Sequence, residues 1–140
     1  MRVVLDTNVL ISALLFHGRL GFIANALQHG TITPCFSVIT WDELKRVLHY
    51  PHLELPLMIE HIEVEDLLAR LKVGALFIEP TITPLRIPED PSDEAFLACG
   101  IAARATAIVS GDKHLLAVAS HFPIPIIKPQ QFQSVLQHGI

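Results

Sequence analysis

Short apolar runs separated by helix-like segments constrain the fold of this sequence more than any other feature. Each run is three to five residues long, which is typical of a buried strand and too short for a helix. The five predicted strands are Val3–Leu5, Ile32–Phe36, Leu76–Ile78, Ala107–Val109 and Ile124–Ile127.

The segments between these runs carry apolar residues at helical spacing. We expect Ser92 to cap a helix that continues to about Arg104 and Pro51 to end the helix that starts after Ser37. The other predicted helices are Val9–Phe16, Leu20–Gln28, Leu57–Leu71, His114–Ala119 and Pro129–Gln137. Strands that alternate with helices predict an α/β fold with a largely parallel sheet and helices on both faces.

The length of 140 residues suits one domain, and the sequence shows no repeat, linker or low-complexity stretch. The segment Pro84–Pro91 contains three prolines and is predicted to be a loop. Although 51% of the residues are hydrophobic, no apolar run approaches the roughly 18 residues of a membrane-spanning helix. Asp6 and Asn8 interrupt the apolar amino terminus and no cleavage site follows, so we expect a cytoplasmic protein with no membrane segment.

Cysteine, histidine and net charge narrow the functional classes. Cys35 and Cys99 lie far apart among apolar neighbours, which favours two buried, reduced thiols. The eight histidines show no zinc-binding spacing. The net charge of −4, taken alone, argues against a partner held by phosphate neutralisation.

Four acidic residues occupy places where an open parallel sheet binds ligands, beyond the carboxyl ends of its strands. Asp6 directly follows the first strand, and Asp112 follows Ala107–Val109 by three residues. Glu43 lies in the first turns of the helix after the second strand, and Asp93 opens the helix before the fourth. The sequence therefore predicts that the four carboxylates meet at one rim of the sheet.

Each of these acids also has a purely structural interpretation. Asp6 could cap the following helix, and Thr40-x-x-Glu43 matches a capping box. Asp93 stands where a helix dipole favours an anion, and Asp112 could be an ordinary turn residue. Any one acid alone favours the structural interpretation.

Taken together, four converging carboxylates would repel one another unless a cation or protons intervened. Carboxylates without Cys or His are the ligands that hard cations such as Mg²⁺ prefer. Thr7 and Asn8 beside Asp6, and Ser110 beside Asp112, are candidates to orient a ligand or a water. We therefore expect a Mg²⁺ or Mn²⁺ centre that activates water against a phosphate ester.

Three segments carry a resemblance to a known family: VVLDTNVLISALL, ITWDELKRVL and DPSDEAFLACGIAARATAIVSGDKHLL. Along nearly the whole chain the sequence resembles the PIN-domain superfamily, and within it the VapC-type toxins of toxin–antitoxin systems. The resemblance implies a three-layer α/β/α sandwich around a parallel sheet of four or five strands. It also implies a Mg²⁺- or Mn²⁺-dependent endoribonuclease that leaves 5′-phosphate and 3′-hydroxyl ends.

By position, the resemblance assigns the four catalytic and metal-binding acids to Asp6, Glu43, Asp93 and Asp112. Asn8 matches the polar residue after the first acid, and Ser110 the hydroxyl residue near the fourth. His114 stands where many relatives have a further acid, so we expect one tightly held ion, and a second only with RNA bound.

The resemblance further implies an RNA substrate, an antitoxin partner and a homodimer. The predicted rim cations for RNA are Arg19, Lys45, Arg46 and Lys113. The segments Leu20–Leu27 and Leu57–Leu71 could supply either a dimer surface or core.

Two other functions stay open at this point. One is a phosphatase or phosphotransferase with Asp6 as nucleophile, although Asn8 stands where haloacid-dehalogenase-like enzymes have a second Asp. The other is a non-catalytic PIN-like module that binds RNA or a protein.

Overall fold

A computed structural model of the chain describes residues 1–16, 18–81 and 91–138. Its centre is a five-stranded sheet in the order β3-β2-β1-β4-β5, with every neighbouring pair parallel. The strands are β1 Arg2–Leu5, β2 Thr33–Phe36, β3 Leu76–Phe77, β4 Ala107–Val109 and β5 Ile126–Ile127.

Helices join successive strands, as the alternating pattern predicts. In the described residues the α-helices are α1 Thr7–Ile11, α2 Gly21–Gln28, α3 Val38–Leu48, α4 Glu54–Ile59, α5 Val64–Val73, α6 Pro91–Ala103, α7 Lys113–Ala117 and α8 Pro129–His138. A π-helical turn at Ser12–Phe16 extends α1, and 3₁₀ turns occur at Gly18–Leu20, Pro51–Leu53 and Ala119–His121.

Two hydrophobic clusters cover opposite faces of the sheet. Side chains alternate along a strand, so Val3 and Leu5 join one cluster whereas Val4 joins the other. The first cluster includes residues of α1, α2, α3, α5 and α8, and the second is built largely on α6. The prediction of a three-layer α/β/α sandwich with a parallel sheet is confirmed.

The strand order places a topological switch between β1 and β4. From β1 the chain builds β2 and β3 outward on one side, then returns to build β4 and β5 on the other. The register pairs Leu5 with Val109, so both strands end at the same level. A crevice beyond such a pair is the usual ligand site of an open parallel sheet.

The prediction of one helix over Leu57–Leu71 is wrong, because α4 and α5 are separated by a turn at residues 60–63. His61 has a positive φ of 55°, and the Ile62 amide donates to the Leu57 carbonyl at 2.9 Å. Leu57 and Leu67 both reach the core across this turn. Their separation of ten residues is close to three helical turns, so the pattern is the same as that of one unbroken helix.

Smaller differences concern the ends of elements. Helix α6 begins at Pro91, one residue before the predicted cap, and β5 is two residues shorter than predicted. The rest of the predicted loop, residues 84–90, lies outside the described residues. Cys35 and Cys99 are both free and buried, as predicted, and burial raises the pKa of the Cys99 thiol to about 12.

Among the described residues, no single helix is long and apolar enough to cross a membrane. One bent pair, Thr7–Phe16 with Gly18–Gln28, meets that test by length and composition only.

Candidate metal centre

A cavity of about 260 Å³ lies beyond the carboxyl ends of β1 and β4, at the topological switch. All four predicted acids line it, and we call it the acidic cavity. Its described lining is Asp6, Thr7, Asn8, Glu43, Val47, Tyr50, His52, Asp93, Phe96 and Asp112. Four separate segments of the sequence thus bring their carboxylates to one place.

Asp6 is held by the β1–β4 pair. Its amide donates to the Val109 carbonyl at 3.0 Å, which continues the pairing of the two strands by one residue. Although Asp6 occupies the N-cap position of α1, its side chain makes no capping hydrogen bond. Instead, Oδ2 accepts a hydrogen bond of 2.7 Å from Oγ of the fully buried Ser110. The structural interpretation of Asp6 as a helix cap is therefore wrong.

Asp112 is connected to Asp6 through the same hydroxyl group. The Asp112 amide donates to Ser110 Oγ at 2.9 Å, while that hydroxyl donates to Asp6. Asp112 also caps α7, because its Oδ1 accepts from the His114 amide at 2.7 Å. One of its carboxylate oxygens thus has a structural partner, and the side chain still lines the acidic cavity.

Glu43 is not part of a capping box. The N-cap of α3 is Ser37, whose side chain accepts from the Thr40 amide while Thr40 Oγ1 accepts from the Ser37 amide. The predicted box of Thr40 with Glu43 is therefore wrong. Glu43 lies one turn further along α3, where its Oε2 accepts a hydrogen bond from Thr7 Oγ1.

Asp93 lies in the first turn of α6 and is only 3% exposed. This helix packs against β1 and β4, and Asp93 near its amino-terminal end lines the cavity beyond those strands. A carboxylate in the first helical turn is favoured by the helix dipole, which offsets part of the cost of its burial.

The acids affect one another electrostatically. Burial raises the pKa of Asp6, and the negative charges of Glu43 and Asp112 raise it further, while the Ser110 hydrogen bond lowers it. No Lys or Arg is among the described residues that line the cavity. The cavity therefore attracts cations.

A model of the PIN domain family matches residues 2–114, a span that contains all four acids. The chain belongs to the PIN domain family. A search of curated proteins finds no match. Among solved structures, the crystal structure of VapBC2 from Rickettsia felis, bound to a DNA fragment from their promoter, is similar. The two share 16% identity with a TM-score of 0.54, over 91% of this chain and 98% of that one, which shows a common fold.

The acids of this PIN domain suit a hard cation by their chemistry. Among the described residues, no three His, Cys, Asp or Glu side chains are close enough to form a ready-made metal site. Mg²⁺ does not require one, since it usually keeps several waters and binds through one or two carboxylates and the substrate phosphate. The donor set fits such an ion, with solvent and substrate oxygens completing its coordination.

The rim cations predicted from the sequence do not line the cavity of the PIN domain. Lys45 is instead 3.4 Å from Asp42 on the exposed face of α3. None of Arg19, Arg46 and Lys113 is in the described lining. Any contact of these side chains with RNA would therefore lie outside the acidic cavity.

Four uncharged or aromatic residues of the lining were missed: Val47, Tyr50, His52 and Phe96. A signal for three of them exists in the sequence. Glu43, Val47 and Tyr50 are spaced by four and three residues, which places them on one helical face. Phe96 likewise follows Asp93 by three residues.

Proposed function

We propose that this PIN domain is a metal-dependent endoribonuclease that hydrolyses RNA phosphodiester bonds in the acidic cavity. The observation that carries the proposal is the convergence of Asp6, Glu43, Asp93 and Asp112 at the topological switch. Capping of α7 explains the position of Asp112 in part, but no capping hydrogen bond explains the positions of Asp6 or Glu43.

Asp6, Glu43, Asp93 and Asp112 would hold Mg²⁺ or Mn²⁺, one or two of them directly and the others through bound waters. When bound, such an ion supplies a water of lowered pKa and neutralises charge on the attacked phosphate. Side chains of the protein position the acids: Ser110 orients Asp6, and Thr7 orients Glu43. Asn8 is exposed at the cavity and offers an amide to the substrate.

One tightly held ion is the resting state that we propose, with a second ion only when RNA is bound. The reason is His114, which stands where many relatives have a further acid. Its amide donates to Asp112 Oδ1, but its side chain is not among the described residues that line the acidic cavity.

Cleavage of a mixed RNA pool tests the proposal directly. We expect wild-type protein to cleave with Mg²⁺ or Mn²⁺, to leave 5′-phosphate ends and to stop in EDTA. Asp6→Asn should be inactive, whereas Asp42→Asn should be fully active because Asp42 is exposed on α3 outside the cavity. Equal cleavage by all three proteins, or cleavage in EDTA, would contradict the mechanism. Turnover of small phosphate esters without RNA cleavage would instead favour a phosphatase.

We also propose that the nuclease is the toxin of a cytoplasmic toxin–antitoxin pair, with an antitoxin and a second copy as protein partners. The predicted apolar surface at Leu20–Leu27 and Leu57–Leu71 is mostly packed on the core. The start of Leu57–Leu71 is the exception, because Met58 and Ile59 are exposed on α4 together with Leu55, and a protein partner would cover them there.

Expression in a bacterial host tests the toxin role. Wild-type protein should arrest growth and Asp6→Asn should not, at equal protein levels. Normal growth on strong expression of protein that cleaves RNA in vitro would rule out the toxin role and leave the nuclease intact.

A further inference from the structure

The mouth of the acidic cavity carries an aromatic pair that the four acids do not account for. The rings of Tyr50 and His52 lie 6.0 Å apart between centroids, with a 53° angle between their planes. Both side chains line the cavity, and both are exposed, Tyr50 by 39%. Among the described aromatic pairs, this is the one in which both members are exposed.

The backbone that carries these rings is well anchored. The Tyr50 amide donates to the Val47 carbonyl, and the Leu53 amide donates to the Tyr50 carbonyl, each at 3.0 Å. Pro51 begins the 3₁₀ turn with its restricted φ, and Leu53 ends it in the hydrophobic core. The exposed rings are thus presented on a rigid support, which reduces the entropy lost when a ligand packs on them.

The rest of the described lining determines which ligand suits these rings. The described lining contains no Lys or Arg, so its side-chain charges do not attract a polyanion. Proteins that bind single-stranded nucleic acid combine charge with stacking of bases on aromatic side chains. Apolar Val47 and Phe96 lie in the same lining and would contact a flat ring better than a phosphate.

We infer that Tyr50 and His52 form a stacking site for an unpaired base next to the scissile phosphate. This inference rests on the proposed nuclease function and adds the two residues that would hold an unpaired base beside the acids. A base inside a duplex is stacked on its neighbours, so the site selects loops, bulges and ends. Tyr50 and His52 are then specificity residues, whereas the acids perform the reaction.

Steady-state cleavage of a short single-stranded RNA gives the first test. Tyr50→Leu should raise KM about tenfold with kcat nearly unchanged, because a stacking contact is worth roughly that factor or more. Tyr50→Phe should behave as wild type, since the ring remains. Phe16→Leu removes an exposed ring outside the described lining and is the matched control.

An abasic substrate makes the test specific to the base. Removing the base next to the cleaved bond should raise KM for wild type but not for Tyr50→Leu, because each change removes the same contact. If the two effects are independent, or if Tyr50→Leu has a wild-type KM, the stacking site is wrong and the nuclease proposal stands.

A binding readout separates failure of the stacking site from failure of the nuclease. Tyr50 is the single tyrosine of the chain, so fluorotyrosine labelling gives one ¹⁹F signal. In the Asp93→Asn background, single-stranded RNA should shift this signal, and an abasic or fully duplex RNA should not. An unmoved signal overturns the inference. A shifted signal with no cleavage by wild type would overturn the nuclease and leave Tyr50 as a base-stacking residue of a non-catalytic RNA-binding module.

Discussion

A comparison of two cavities of nearly equal volume shows which property distinguishes the candidate metal site in this fold. The acidic cavity measures about 260 Å³, and a second cavity of about 270 Å³ lies between α2 and α8. We call the second one the amide cavity; its lining is Phe22, Asn25, Ala26, His29, Thr31, Gln133, Leu136 and Gln137. Size does not distinguish the two, but charge does, since no carboxylate is in the described lining of the amide cavity.

The direction of the helices explains this difference. Asp6, Asp93 and Asp112 stand at or near the amino-terminal ends of α1, α6 and α7. Apart from Phe22 in the first turn of α2, the amide cavity is lined instead by residues from the middle and the carboxyl-terminal parts of α2 and α8 and from the segment that follows α2. The positive end of a helix dipole stabilises an anion and the negative end destabilises it. Helix dipoles therefore favour acidic side chains in the first cavity and disfavour them in the second.

The largest effect expected to distinguish the two cavities is on the rate of RNA cleavage. Asp93→Asn should lower kcat by about 10²–10³-fold, as expected when a group that stabilises transition-state charge is removed. Gln133→Ala in the amide cavity should leave kcat within a factor of about two. Single-turnover assays with saturating protein measure both. A similar loss in both variants would mean that the two cavities work together.

The next effect concerns the hydroxyl that links two of the acids. Ser110→Ala removes the donor to Asp6 and the acceptor of the Asp112 amide. Loss of such a supporting contact typically costs about 10–100-fold in metal affinity or activity. Metal titration of the cleavage rate should show the loss as a higher metal requirement. Ser134→Ala, exposed on α8, is the control and should change nothing.

A third test asks whether close packing of α6 on β4 maintains the acidic cavity. A Cβ at Gly100 would lie 2.8 Å from Ile108 Cδ1, so Gly100→Ala forces the helix or that side chain to move. We expect a loss of about 1–3 kcal/mol in the free energy of unfolding, measured by denaturant titration. Cleavage should fall as well, because α6 also carries Asp93.

Gly74→Ala is the matched control for this substitution. A Cβ at Gly74 meets no atom within 4 Å, and its φ of −98° is accessible to alanine. Its stability should stay equal or rise slightly. If both substitutions lower the free energy of unfolding equally, the contact with Ile108 is not the cause of the loss in Gly100→Ala.

Much of the acidic cavity could be predicted because its position follows from local rules. Strand ends are visible as short apolar runs, and residues that follow parallel strands meet at one edge. This rule was sufficient to predict the positions of Asp6 and Asp112. Glu43 and Asp93 also required that α3 and α6 pack with their amino-terminal halves toward that edge, which the alternating pattern implies. The roles of these acids remain a prediction.

The parts that could not be predicted depend on which of two equivalent patterns the tertiary structure selects. Ser37 and Thr40 are both good N-cap residues, and the sequence does not decide which of them begins α3. Leu57 and Leu67 fit one helix as well as two, and no Gly or Pro marks the turn at residues 60–63. In both cases only the packing of the whole chain decides.

The smallest effect is a pH dependence that separates the cost of the acidic cavity from its function. Burial raises the pKa of Asp6 in the folded protein above the ordinary value of 3.8. As pH rises from that value through the raised pKa, the unfolded chain loses its proton first, so stability falls over this window and then levels off. In EDTA, Asp6→Asn should therefore be more stable than wild type at neutral pH, with the advantage vanishing near pH 3. Melting curves across pH measure this, and Asp42→Asn should follow the wild-type profile.

Added Mg²⁺ should make wild type more stable than Asp6→Asn, because an ion that binds the folded carboxylates stabilises wild type alone. A wild-type protein that is more stable than Asp6→Asn without metal would mean that the acids are structural, and the contrast between the two cavities would lose its electrostatic basis.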